Sequence, residues 1–227
     1  MSHVVHPFAH RLGIIRDWKS RWFSLKGKYR ESLKGDLLIR ALLKNKLKGF
    51  FVSDVIIERG QQILRVVIET SRPGLIIGRS GEGAVKLREE IQKHLKKAGL
   101  ESKQEIKIDI KEVRSPESNA SIVSQMIAEG LEKRMPFRRM LKQTVDKVMA
   151  NRDVVGVKVL ISGRLGGATM SRKDSKKMGR IPLQTFRADV DFAKKEAHLP
   201  YGNIGIKVWI YKGDIFADKS VKTTVNN

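Results

Sequence analysis

The residues best placed to do chemistry are Ile76-Ile77-Gly78-Arg79-Ser80-Gly81-Glu82-Gly83, where three glycines fall within six positions. An apolar run precedes them and a helix-patterned run follows. A backbone this permissive at the start of a helix lets a phosphate approach closely. Gly78 and Gly83 have the spacing of a nucleotide-triphosphate loop, but Ala84-Val85 stands where Lys and Ser/Thr would have to neutralise phosphate and hold magnesium. A dinucleotide fingerprint starting at Gly81 would need its third glycine at Lys86. Both readings fail, leaving the Gly-x-x-Gly clamp that grips a single-stranded RNA backbone, formed by Gly78, Arg79, Ser80 and Gly81.

Other residues suit the same polyanion. Arg138, Arg139 and Lys142 follow Phe137 in a helical pattern, roughly opposite the apolar face Phe137, Leu141, Thr144 and Val148. They read as a solvated face or as an RNA surface, the second favoured because only Asp146 offsets them. Residues 1–25 interleave His6, Phe8, Arg11, Trp18, Arg21, Trp22 and Phe23 without periodicity. Such a stretch can stack on bases and pair with phosphates, or fold back as a hydrophobic lid. Arg172-Lys173-Asp174-Ser175-Lys176-Lys177-Met178-Gly179-Arg180 is expected to be a basic loop, mobile without a polyanion. Ser162-Gly163-Arg164-Leu165-Gly166-Gly167-Ala168 fits a tight turn needing positive φ, or a further RNA contact. Five histidines, at 3, 6, 10, 94 and 198, lack obvious carboxylate partners, and no metal-ligand spacing occurs. The expected function is binding rather than catalysis, with no cofactor and no metal.

The elements that must position these residues follow in order. A basic amphipathic helix spans Lys28 to Lys48, its apolar positions placed at Leu33, Leu37, Leu38, Ala41, Leu42 and Leu47. The β-branched runs Val52–Glu58 and Ile63–Glu69 flank Arg59-Gly60-Gln61-Gln62 as a hairpin. A short helical turn over 75–77 leads into the glycine loop. A helix marked by Ala84, Leu87, Ile91, Leu95 and Ala98 follows, and Glu105–Lys111 alternates as a strand with one wet face. Two helices joined by Gly-x-x-Gly on a three-stranded sheet make a KH module with a leading helix. After a linker at 114–118, with Ser118 or Asn119 as cap, come two helices broken at Pro136. Strands follow at 154–162, about 169–172, 185–193 and 204–211. The fold class is therefore α+β, in the segments 1–27 (arm), 28–113 (RNA-binding domain), 114–118 (linker), 119–216 (second α+β domain) and 217–227 (tail).

Composition bounds the partner. Across 227 residues, 46 Lys+Arg against 24 Asp+Glu give a net charge of +22. The excess sits at the ends: +9 in residues 1–50 and +8 in residues 154–227, around a nearly balanced middle. Nucleic acid is the default partner of such a surface, an anionic membrane the weaker one. Absence of cysteine removes disulfides, thiolate nucleophiles and Cys-ligated zinc. No apolar run of signal-peptide or membrane-span length appears, so a soluble cytoplasmic protein is expected.

With these residues in view, the chain resembles the bacterial small-subunit ribosomal protein three family over nearly its whole length. The resemblance is carried by His6-Pro7, Arg11 to Ile14, Trp18, Ser20, Trp22-Phe23, Arg72-Pro73-Gly74 and Ile77 to Gly81. Arg134, Phe137-Arg138-Arg139, Ser162 to Ala168, Gly179 to Leu183 and Arg187-Ala188-Asp189 extend it. It implies a type II KH domain followed by a second α+β domain whose two helices pack on a mainly antiparallel sheet. It further implies a place in the head of the small subunit, small-subunit ribosomal RNA and mRNA as ligands, and ribosomal proteins ten and fourteen as neighbours. The family's Arg-Arg-x-x-Lys, at the mouth of the messenger channel, maps onto Arg138, Arg139 and Lys142. The expected further RNA contacts are Arg11, Trp22, Arg164, Arg172, Lys173, Lys176, Lys177 and Arg180. Phe8-Ala9-His10 departs from the family's usual Gly-Phe pair before the arginine. The rivals are a free-standing KH regulator of transcripts and, more remotely, a nucleic-acid-cleaving enzyme.

Overall fold

The computed structural model describes residues 5–100 and 104–216; the expected tail at 217–227 lies outside them. The chain forms two four-stranded sheets, each covered on one face by helices. In the first half the elements are α1 (Pro7–His10), β1 (Ser20–Arg21), α2 (Lys26–Lys46), β2 (Val52–Arg59), β3 (Ile63–Thr70), α3 (Pro73–Ile77), α4 (Glu82–Lys97) and β4 (Glu105–Glu112). The sheet order is β1-β2-β3-β4. The β2–β3 hairpin is antiparallel as expected, and β4 runs parallel to β3 along a free edge. Ile39, Leu43, Ile57, Leu64, Val66, Ile68, Ile76, Ile91 and Leu95 form the core between this sheet and α2 and α4.

Helix α2 forms where expected but turns a different face inward. Leu33 and Leu37 are exposed, while Gly35, Asp36, Ile39, Leu42, Leu43 and Leu47 are buried. The reason is polar. Arg59 on β2 bonds Asp36 at 2.6 Å with both side chains buried, and Trp22 donates its indole N–H to the other Asp36 oxygen at 2.7 Å. A Cβ at Gly35 would stand 2.9 Å from the Arg59 guanidinium, so a bare backbone lets the arginine pass. Arg40, one turn on, donates to the carbonyls of Lys19 and Val55 and to the Ser20 hydroxyl. That fork is what seats β1, a strand the sequence does not announce, beside β2.

The second half holds α5 (Ala120–Glu132), α6 (Phe137–Met149), β5 (Gly156–Gly163), β6 (Arg172–Gly179), β7 (Ala188–Leu199) and β8 (Gly202–Asp214). The sheet is antiparallel in the order β6-β5-β8-β7. Asn119 is the cap of α5, its side-chain oxygen accepting from the Ser121 and Ile122 amides. Val157, Val159, Ile161, Ile206, Val208 and Ile210 meet α5 and α6 on the inner face. Ala188, Val190, Trp209 and Tyr211 form a smaller cluster on the outer face. The halves meet where Ser121 and Gln125 of α5 both donate to the Val52 carbonyl and Asn119 donates to the Ser53 hydroxyl.

Two expectations are corrected here. The stretch 172–180 is not a loop. It is edge strand β6, paired with β5 from Gly163↔Arg172 to Gly156↔Gly179. Thr169–Met170–Ser171, expected to be strand, precedes it without strand structure.

Candidate nucleic-acid interface

The glycine loop is built by short-range geometry. Gly78 ends α3 with φ 72° and ψ −175°, a region essentially closed to residues with a side chain. Ser80 at φ 53° and Gly81 at φ 82° turn the chain left-handed before α4 starts at Glu82. Gly83 matters for a different reason: a Cβ there would be driven into the Ile76 carbonyl and lie 2.8 Å from that of Ile77. This allows α3 to sit tightly against the first turn of α4, so the loop projects rather than collapses. Gly78, Arg79 and Ser80 are all exposed. Leu75 and Ile77 on α3 and Val85 on α4 are exposed apolar side chains beside them. The Gly78 N–H is spent on the Gly74 carbonyl at 3.0 Å, so the loop offers the Arg79 and Ser80 amides, one guanidinium and a helix N-terminus next to an apolar surface, the chemistry of a backbone clamp with room for bases. Glu82 in the first turn of α4 is paired with Lys86 at 3.2 Å, which moderates its repulsion of a phosphate.

On α6, Met140, Leu141, Thr144, Val145 and Val148 are buried, and Arg138, Arg139 and Lys142 stand exposed on the opposite side. The helix starts after Pro136 with no side-chain cap, so its positive end adds to the same surface. The Arg138 and Arg172 guanidiniums lie 5.7 and 5.2 Å from the Phe137 ring, joining α6 to β6. Lys173, Lys177 and Arg180 are exposed, whereas Lys176 is half-buried on the helix-facing side. Arg164 is partly engaged: its Nε donates to the Ala168 carbonyl at 2.8 Å and Nη1 to the Tyr201 carbonyl at 3.2 Å.

Two expected RNA contacts point inward instead. Arg11 is fully buried. Its guanidinium donates to the carbonyls of Pro7, Pro182, Leu183, Thr185 and Ala188 at 2.6–3.2 Å, so its donors are spent on the protein. Trp22 is half-buried, its N–H spent on Asp36 and its ring 5.2 Å from that of Tyr29. The arm therefore acts largely as a lid. His6 meets Phe192 edge-on at 4.6 Å, and His10 stacks on Phe186 at 4.2 Å. Trp18 and Phe23 remain exposed.

Known proteins place this geometry. A KH domain model matches residues 38–118, and a model described as ribosomal protein S3, C-terminal domain, matches residues 127–210. The chain is 46% identical over 216 residues to the small ribosomal subunit protein uS3 of Endomicrobium trichonymphae, covering 95% of this chain and 90% of the relative. The chain belongs to the uS3 family. The uS3 of Caldicellulosiruptor bescii is 44% identical over 220 residues, covering 97% and 96% of the two chains. That of Xanthomonas oryzae pv. oryzae is 44% identical over 216 residues, covering 95% and 85%. The fold expected from the resemblance is the fold present: a KH domain on the first sheet, then a uS3 C-terminal α+β domain on the second. The uS3 name is that of a ribosomal protein, not an enzyme, and it extends over both sheets rather than the KH portion alone. Among the described residues no group of three or more acidic or histidine side chains is placed to hold a metal ion, and no helix is long and apolar enough to cross a membrane.

The residues that brace this candidate interface carry no motif of their own in the sequence. Asp36, Arg59 and Arg40 anchor α2 and β1, and Arg16 pairs with Asp189 at 2.6 Å. Their one sequence signal is position: arginines and an aspartate inside apolar patterns, where an unpaired charge is too costly to keep.

Proposed function

We propose that the chain is a structural component of the head of the small ribosomal subunit, held there by ribosomal RNA. Residues 28–113 are the RNA-binding domain, 119–216 the second domain and 114–118 the linker between them. The observation that carries the reading is the projecting loop Gly78–Gly81, with Gly78 at φ 72° and Ser80 at φ 53° turning the exposed backbone outward at the start of α4. It is set in a chain of net charge +22 whose full-length relatives are small-subunit proteins. Phosphates meet the Gly78–Gly81 loop at the Arg79 and Ser80 amides and the Arg79 guanidinium, with Arg164, Arg172, Lys173, Lys176, Lys177 and Arg180 adding basic surface. Arg138, Arg139 and Lys142 face the messenger at the mouth of its channel and grip strands as they arrive. Ribosomal proteins ten and fourteen are the neighbours, and the exposed Trp18, Phe23 and Leu25 offer a protein partner apolar contact.

The test of the clamp is Arg79→Asp with Ser80→Asp, which puts two negative charges where phosphates would lie. RNA affinity should fall sharply, and each lost contact should shallow the log–log salt dependence by roughly 0.7 for single strands. Affinity within error of the parent would remove the loop from the interface. Sedimentation of the protein with small subunits through moderate salt separates this reading from a free-standing regulator, which would remain in the soluble pool.

A further inference from the structure

At one end of the second sheet a cavity of about 400 Å³ opens between the start of α6, the turn at Leu165–Gly167 and the β7–β8 turn. Its floor is apolar, with Leu131 and Ile204 buried beneath. Tyr201 and Phe137 supply aromatic walls, and Arg134 and Arg164 stand among its lining residues. Tyr201 is 62% exposed, a large ring left in water beside a hydrophobic hollow. Nothing in the core requires it there.

The surroundings are unusually determined. Arg164 is fixed against the Ala168 and Tyr201 carbonyls, which leaves three of its five N–H groups undirected. Its guanidinium lies 6.0 Å from the Tyr201 ring. Gly167, at φ 80°, brings the turn to within 3.7 Å of that ring, measured from the Cβ a side chain would add. Arg134 is held left-handed at φ 61° as the chain leaves α5, a cost that a β-region arginine would not carry. Arg138 and Arg172 both approach the Phe137 ring from outside the hollow. The site is thus an aromatic slot over an apolar floor, lined by two arginines, with two more near the Phe137 ring outside it. That chemistry fits one ligand well: a flat, uncharged ring carried on a polyanionic chain.

We propose that this cavity captures an unstacked base of single-stranded messenger passing along α6, with Tyr201 as the stacking platform. Arg134 and Arg164 hold the flanking phosphates. The inference rests on the reading of α6 as a messenger-binding helix, because Phe137, the first residue of that helix, lines the slot and Arg138 follows it. Aromatic stacking tolerates any base, so the site would hold a strand in single-stranded form without selecting its sequence. A duplex, whose bases are already stacked on one another, has none to offer.

The test uses the full chain with the Arg79→Asp and Ser80→Asp changes, which silence the glycine loop. Binding is measured by fluorescence anisotropy to a labelled oligouridylate and to the same oligomer with abasic sugars at its centre. Tyr201→Ala should weaken the oligouridylate about tenfold and leave the abasic oligomer unchanged. Tyr201→Phe should bind like the parent. Equal binding of the oligouridylate by Tyr201→Ala and parent would overturn the proposal, as would equal weakening of both oligomers. Alanine at Arg138, Arg139 and Lys142 should weaken both oligomers. If it weakens neither, the α6 reading fails and the strand in the slot is not the messenger. If it weakens both while Tyr201→Ala changes nothing, the α6 reading stands and the slot alone is lost.

Discussion

Replacing Arg11 with methionine separates two roles that one arginine can play. The substitution keeps a flexible stem of similar length and deletes the fork. It strands five carbonyl oxygens, of Pro7, Pro182, Leu183, Thr185 and Ala188, that now accept at 2.6–3.2 Å in a fully buried site. A buried polar group left without its partner costs about 1–3 kcal/mol, and bonds to a charged donor lie at the upper end. The five cannot add independently, since four belong to one segment that will shift together and let water reach some of them. Two or so carbonyls left unsatisfied after that relaxation, at about 1–3 kcal/mol each, set an expected loss of about 3–5 kcal/mol, the range of a broken buried hydrogen-bond network. With a urea slope of about 2–3 kcal/mol/M, the midpoint followed by circular dichroism should fall by about 1–2 M. RNA affinity, measured where both proteins are folded, should retain its salt dependence. A midpoint shift below about 0.3 M, together with a salt slope shallower by about 0.7, would refute the reasoning and make Arg11 a phosphate contact.

Two further outcomes follow from local geometry. Gly83→Ala should destabilise by about 1–3 kcal/mol, although alanine is normally the better helix former, because its Cβ has no space against the Ile76 and Ile77 carbonyls; an unchanged or raised melting temperature would show that α3 and α4 can move apart. Burial, with a smaller effect of Lys19, lowers the His6 pKa below its ordinary 6.5, and the neutral ring accepts the Ala9 amide as the cap of α1. The unfolded chain therefore takes up this proton first as pH falls, so His6 makes stability climb with pH through the window just below 6.5 and contributes nothing further above it. His6→Asn preserves an acceptor and should flatten that part of the melting temperature profile; an identical slope in both proteins would assign the pH dependence elsewhere.

What the sequence disclosed tracks how locally each feature is determined. The hairpin β2–β3, helix α4, strand β4 and the glycine loop were legible because their patterns and turn residues act within a few positions. The strand β6 was not. Its residues, Arg-Lys-Asp-Ser-Lys-Lys-Met-Gly, have no apolar alternation, since an edge strand can be held by β5 on one side and remain wet over most of its surface. Its strand character comes from its partner. The inward face of α2 is not legible from its leucines, because Asp36 and Arg59 bury a polar contact where leucines are the natural candidates. Arg11 could not be separated from a phosphate-binding arginine by type or neighbours, since four of the carbonyls it serves lie more than 170 residues away. In the candidate slot Arg164 was legible from its glycine-rich turn, but Tyr201 was not, because only the fold brings the β7–β8 turn beside the start of α6.

Strand β6 has a consequence before any ribosome is assembled. An edge strand is an open row of backbone donors and acceptors, and a second copy of the chain could add to it in register. Here Arg172, Lys173, Lys176 and Lys177 lie along that edge against a single carboxylate, Asp174. Two such edges brought together would set cation beside cation, and the repulsion would act while the chain is newly made and without its polyanion. The side chains proposed above as RNA contacts thus guard the open edge against self-association.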